Sequence, residues 1–178
     1  MGRTCDELDP ADALGALKGY CVGVDMTARN CSLPPPPSPL LLPTVSIANI
    51  PDQGVAREKR LPWAMAKGLK TFLPVSHFIP KSRIPDPHNV RLHLEVNGET
   101  RQDDVTGLML FRVPRILQHI SGVFPLEEDD LVLTGTPKGV GRVVPGDVIT
   151  AGISVGGEEL EEGRIKVRVE QRVGGYGS

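Results

Sequence analysis

No apolar run in this chain approaches the roughly 18 residues that a membrane-spanning helix requires, so the sequence gives no reason to expect a membrane partner. The first ten residues mix Arg, Cys, Asp and Glu and show neither the apolar stretch of a secretory signal nor a basic amphipathic helix. Cysteine is scarce: Cys5, Cys21 and Cys31 are an odd number without CxxC spacing. That argues against a disulfide framework or a thiolate zinc cage and suits free thiols in a reducing compartment. Charge of one sign is not in excess either. The 20 basic and 22 acidic residues are interspersed for a net charge of -2, so no basic stripe points to nucleic acid and no acidic block points to a solvated tail.

What is present suits one folded unit. With 178 residues, 39% of them hydrophobic, the chain can bury one core, and a single domain spanning 1–178 is expected. Residues 11–24 read as a short Ala/Leu-rich helix followed from Tyr20 by a buried strand that stops at Asp25. The stretch 31–52 is rich in proline, which removes backbone donors and fixes φ, and reads as a disordered or extended insert. Leu61-Pro62-Trp63 predicts a turn into an apolar segment, placing Lys67 on a strand or strand-like edge. Val90, Leu92, Leu94 and Val96 alternate with Arg91, His93 and Glu95, and Asn97-Gly98 supplies the two positive-φ positions of a tight hairpin. Pro114 predicts the first turn of a helix with Ile116, Leu117 and Ile120 on one face, ended by Ser121-Gly122. Leu131–Leu133 reads as a short strand, and further strands are expected from Val148 and around Ile165, Val167 and Val169. The predicted class is mainly β, with few helices.

Three places carry candidate chemistry. In Asp25-Met26-Thr27-Ala28-Arg29 a carboxylate leaves a buried strand and a guanidinium follows four residues later. The pair could hold a hard cation, which prefers oxygen ligands, and a carboxylate-bearing substrate, which arginine grips through two N–H groups; a helix-capping Asp beside a surface Arg is the plainer alternative. The run Thr134–Gly141, TGTPKGVG, could cradle an anionic oxygen in backbone N–H groups, a hydroxyl and Lys138, or could simply be a turn that needs glycine. It lacks the GK[ST] ending of a phosphate-binding loop. Lys67 sits among Ala64, Met65, Ala66, Gly68 and Leu69, where an ammonium needs a partner unless it reaches solvent along its stem. His77, His88, His93 and His119 have no ligand spacing and receive no role.

Together GYCVGVDMTARN, LPWAMAKG, IPDPHNVRLHLEVNGETRQ and LVLTGTPKGVG resemble the fumarylacetoacetate hydrolase family, nearest its acylpyruvase and oxaloacetate tautomerase or decarboxylase branch, over almost the whole chain. The resemblance implies a β-sandwich roll, here incomplete at the N-terminus, and a bound Mg²⁺ or Mn²⁺. It also implies a small 2-oxo acid or β-dicarbonyl substrate handled as a metal-chelated enolate, and a homodimer. By the same resemblance Asp25 is a metal ligand, Lys67 is the catalytic lysine that polarises an oxygen, and Arg29, Gln53 and Thr136 bind substrate. Gln53 is placed by register: it lies eight residues before Leu61, as the family's glutamine lies before its Leu-Pro-Trp, but 24 after Arg29 where the family spacing is three. The extra residues fall in the proline-rich insert. A Glu-x-Glu pair and a His-Glu lid that the resemblance places upstream have no counterpart here, so a catalytically inactive carboxylate-binding or interaction module is the alternative expectation. The compartment implied is mitochondrial or cytoplasmic.

Overall fold

The computed structural model describes residues 1–28, 44–47, 60 and 64–171, with backbone alone at 44–47 and at Met65. Its centre is a six-stranded sheet. In chain order the strands and helices are β1 (Gly19–Tyr20), β2 (Thr44–Ile47), α1 (Ala64–Lys67), β3 (Ile79–Pro80), β4 (Val90–Val96), β5 (Glu99–Val105), α2 (Val113–Ser121), β6 (Val148–Val155), β7 (Glu158–Glu159) and β8 (Ile165–Gln171). The sheet runs β2-β8-β6-β4-β5, with β7 paired to β6, and β1 pairs separately with β3. All neighbours are antiparallel except β2 and β8.

The β4–β5 hairpin forms as the alternation predicts, and Asn97 and Gly98 take φ of 54° and 80° at its turn. β8 buries Ile165, Val167 and Val169, one face of a period-two strand. These pack with Ile149, Ala151 and Ile153 of β6, with Val90, and with the run Val22, Val24, Met26 and Ala28, forming the larger of two apolar clusters among the described residues. The second cluster joins Met1, Leu8, Ala13 and Ala16 to Val113 and Leu117 of α2. Helix α2 carries Pro114 in its first turn, where the missing N–H costs nothing, and buries Val113, Leu117 and Ser121 at four-residue spacing, with Ile116 and Ile120 only partly covered. His88 supplies what the helix start lacks, its Nε2 accepting the Val113 N–H at 3.0 Å.

Several expectations are corrected. Residues 10–16 form successive turns, not a helix, with Ala16 N–H bonding to the carbonyls of both Asp12 and Ala13. The strand expected from Tyr20 to Asp25 is assigned only at Gly19–Tyr20, with an isolated bridge at Gly23, although the chain stays extended and paired beyond it. Lys67 ends a single helical turn instead of lying on a strand: Ala-Met-Ala-Lys are good helix formers, and the Gly68 N–H closes the turn on the Ala64 carbonyl at 2.7 Å. Leu131–Leu133, expected as a strand, has no ladder partner among the described residues. Within the stretch 31–52, Thr44–Ile47 pair in parallel with β8, so at these four residues the extended reading replaces the disordered one; the rest of that stretch lies outside the described residues. Cys5 is buried and Cys21 half-buried, both as free thiols.

Candidate functional site

The residues around Asp25 lie on an extended run whose parity decides what each side chain does. Val22, Val24, Met26 and Ala28 face the core, so Cys21, Gly23, Asp25 and Thr27 face the other way. Backbone bonds from Val24 N–H to the Pro74 carbonyl, from Met26 N–H to that of Phe72 and from Ser76 N–H to that of Val22, at 2.9–3.0 Å, tie the run to the returning chain 72–76. One step further, the Ala28 N–H donates to the Ala66 carbonyl at 2.9 Å and docks α1 beside Asp25 and Thr27. Lys67, last in that turn, therefore reaches both. Its Nζ donates in a short ion pair to Asp25 Oδ2 and at 3.3 Å to Thr27 Oγ1. The two charged side chains are 43% (Asp25) and 32% (Lys67) exposed, open enough for a small anion to compete for the ammonium.

A second group is built from the glycine-rich run. Gln102 of β5 donates through Nε2 to Thr136 Oγ1 at 2.9 Å and to the Pro137 carbonyl at 2.8 Å, and Asp104 lies 3.5 Å from Lys138. Gly139, at φ 98°, packs so closely that a Cβ there would stand 1.9 Å from the Arg101 carbonyl oxygen. Glycine is required at this position for both reasons. The segment leading into this run lies against the Asp25 strand: Leu133 Cδ2 would be 3.6 Å from a Cβ on Gly23. Lys138 is 85% exposed and is offset by Asp104, so the cradle expected from Lys138 and the backbone is less cationic than the sequence suggests.

The structure thus joins Asp25 and Lys67, adds Thr27, and places Thr136 on the neighbouring segment held by β5. Arg29 and Gln53 lie outside the described residues. Thr27 was within reach of the sequence, since it shares the parity of Asp25; Gln102 was not, because its side chain is aimed by a β-bulge. A mostly apolar cavity of about 470 Å³ opens between the sheet and α2, lined in part by Tyr20, Leu92, Met109, Leu117 and Thr134. Neither Asp25 nor Lys67 borders it. Burial pushes the Tyr20 hydroxyl and the Cys21 thiol upward from their ordinary values, which keeps both protonated at neutral pH.

A divalent cation such as Mg²⁺ demands about six oxygen donors. Among the described residues no three His, Cys, Asp or Glu side chains cluster to hold one, and the Asp25 carboxylate is already bonded to Lys67. The described residues by themselves do not make a metal cage.

Residues 1–170 match the model of the fumarylacetoacetate (FAA) hydrolase C-terminal family, and the chain belongs to that family. It is 44% identical over 161 residues to the mitochondrial oxaloacetate tautomerase of Schizosaccharomyces pombe, covering 90% of this chain and 62% of that one. The chain therefore spans under two thirds of that relative's length. A yeast fumarylacetoacetate hydrolase family protein superposes with a TM-score of 0.80 at 29% identity, over 99% of this chain and 66% of its own. A fumarylpyruvate hydrolase from Pseudomonas aeruginosa, solved with Mn²⁺ and pyruvate, superposes at 0.76 with 26% identity over 97% of this chain and 62% of its own.

Proposed function

We propose that the protein acts on small 2-oxo acids or β-dicarbonyl compounds of the oxaloacetate and acylpyruvate type, as a hydrolase, lyase or tautomerase dependent on Mg²⁺ or Mn²⁺. The observation that carries this reading is the Lys67 ammonium, held by Asp25 and Thr27 on the open face of the strand. When a proton leaves the carbon next to a ketone, or a carboxylate leaves it as CO₂, negative charge grows on the ketone oxygen. An ammonium fixed beforehand at that oxygen stabilises the enolate more than the ground state, and removing one such donor typically costs about 10²–10³ in rate. Thr136 supplies a hydroxyl to a substrate oxygen. Asp25 and Thr27 hold the Lys67 ammonium beside the open face of the strand, where a substrate oxygen competes with them for its N–H groups.

Family membership and the named activities of the Schizosaccharomyces and Pseudomonas relatives support the substrate class. The metal belongs to the same reading. Asp25 is the oxygen donor that the described residues offer it, and the remaining donors would come from elsewhere. A mitochondrial location follows the relative's name, and fractionation of cells expressing the tagged protein tests it. A homodimer also belongs to the reading, supported by the exposed apolar residues Leu108, Leu110 and Phe111; light scattering on the purified protein tests it.

The experiment is a substrate panel. Oxaloacetate, acetylpyruvate and fumarylpyruvate are offered with Mg²⁺ or Mn²⁺, and the ultraviolet absorbance of their enols is followed. Consumption of any one of them that Lys67→Met abolishes supports the proposal. Binding of oxalate without turnover would reduce the protein to a carboxylate-binding module, and neither binding nor turnover would remove the substrate class altogether.

A further inference from the structure

The β4–β5 ladder slips by one residue in its middle. Leu94 pairs with Gln102 while Glu95 pairs with Thr100, leaving Arg101 as the extra residue of a bulge. Bulges bend a strand and re-aim the side chains beside them. Here the bulge turns the Arg101 carbonyl against Gly139 and sends the Gln102 side chain to Thr136 and Pro137.

The chemistry of the two acceptors fixes the direction of these bonds. A proline carbonyl can only accept, so the end of the Gln102 amide that faces it is the NH₂. Its second hydrogen is then the one directed at Thr136 Oγ1. A hydroxyl has one proton to give and two lone pairs, and with a lone pair committed to Gln102 the Thr136 proton is directed away from β5.

We infer that Gln102 is a positioning residue, which holds the Thr136 hydroxyl as a one-way donor and so sets its preference for a carboxylate oxygen of a 2-oxo acid. The inference rests on the substrate class proposed above. Asp104, two residues along on the same face of β5, pairs with Lys138 and holds the next part of the run, so β5 as a whole is the platform on which the glycine-rich segment is seated.

Oxalate, a stable planar dicarboxylate, is the probe, titrated calorimetrically into the full chain with Mn²⁺ present. The variants are Gln102→Glu, Gln102→Met, Thr136→Val and the Gln102→Glu/Thr136→Val double. Glutamate can only accept, so it draws the Thr136 proton toward itself and turns the donor away from the ligand. The expected result is about a 10-fold loss of oxalate affinity for Gln102→Glu, the size of one lost hydrogen bond to a charged group. A smaller loss is expected for Gln102→Met, which orients nothing. Thr136→Val should match Gln102→Glu, and the double variant should bind no more weakly than either single one.

Melting curves report whether each variant folds, and Gln102→Met, which adds no charge, carries the test where Gln102→Glu does not fold. Losses that multiply in the double variant would show that Gln102 acts independently of Thr136, and unchanged binding in both Gln102 variants would show that it does not act at all; either overturns the inference alone. A wild-type protein that binds no oxalate overturns the proposed substrate class and this inference with it.

Discussion

Replacing Asp25 by asparagine separates a structural ion pair from a functional one, because the two readings differ in both size and sign. The Asp25 and Lys67 side chains are 43% and 32% exposed, and pairs this open contribute about 0–1 kcal/mol to stability. Lys67 also keeps Thr27 as a partner at 3.3 Å. For a chain of this length such a loss lowers the melting temperature by less than about 4 °C. Ligand binding is expected to respond far more strongly, and in opposite directions. In chelator, removing the carboxylate relieves competition for the Lys67 ammonium, and oxalate should bind a few-fold more tightly. With Mn²⁺ present, removing an oxygen donor should weaken oxalate at least about 10-fold, equivalent to about 1.4 kcal/mol. Calorimetric titration under both conditions, beside a melting curve, reads all three quantities. A melting temperature lowered by more than about 10 °C, or oxalate affinity unmoved by Mn²⁺ in both proteins, would refute the reasoning.

Leu117→Ala, at a side chain only 1% exposed in the second apolar cluster, should cost about 2–5 kcal/mol, read as a fall in the urea midpoint. His88→Ala leaves the first N–H of α2 without its acceptor and should cost about 1 kcal/mol, seen in the same assay with oxalate binding retained. Acid should destabilise the fold through three carboxyls. Asp103 is held below the usual carboxylate range by the Arg91 hydrogen bonds, Asp129 by Lys18 and Glu159 by Arg164. Because these folded values are depressed, the stabilisation is fully present above the unfolded values near about 4 and is lost as pH falls through the folded ones. Urea midpoints flat from pH 7 to 5 and falling below about 4 are expected; Arg91→Met should flatten part of that fall.

Much of the sheet was legible because period-two alternation and a turn signal are local. Val90 to Val96 with Asn97-Gly98, and Ile165 to Val169, each state their own face. The outward placement of Asp25 was legible for the same reason: a charged residue inside an apolar run marks the exposed face of the strand. What escaped depends on partners distant in sequence. Lys67 reaches Asp25 because the Ala66 carbonyl meets the Ala28 N–H and docks the helical turn there, and Leu131–Leu133 has no ladder partner among the described residues although its residues favour strand. Thr44–Ile47 finds a parallel neighbour in β8 within a stretch whose prolines argue against any sheet. Gln102 reaches Thr136 only because the ladder slips at Arg101, and nothing in the alternating sequence announces a slip.

The measurement that bears most directly on the central claim is the rate at which the protein consumes the enol of oxaloacetate with Mn²⁺ present, compared with its Lys67→Met variant. The expected result is consumption above the uncatalysed rate that falls by at least about 100-fold in the variant. Equal rates in the two proteins, above background, would contradict it by showing that the chemistry does not run through the Lys67 ammonium.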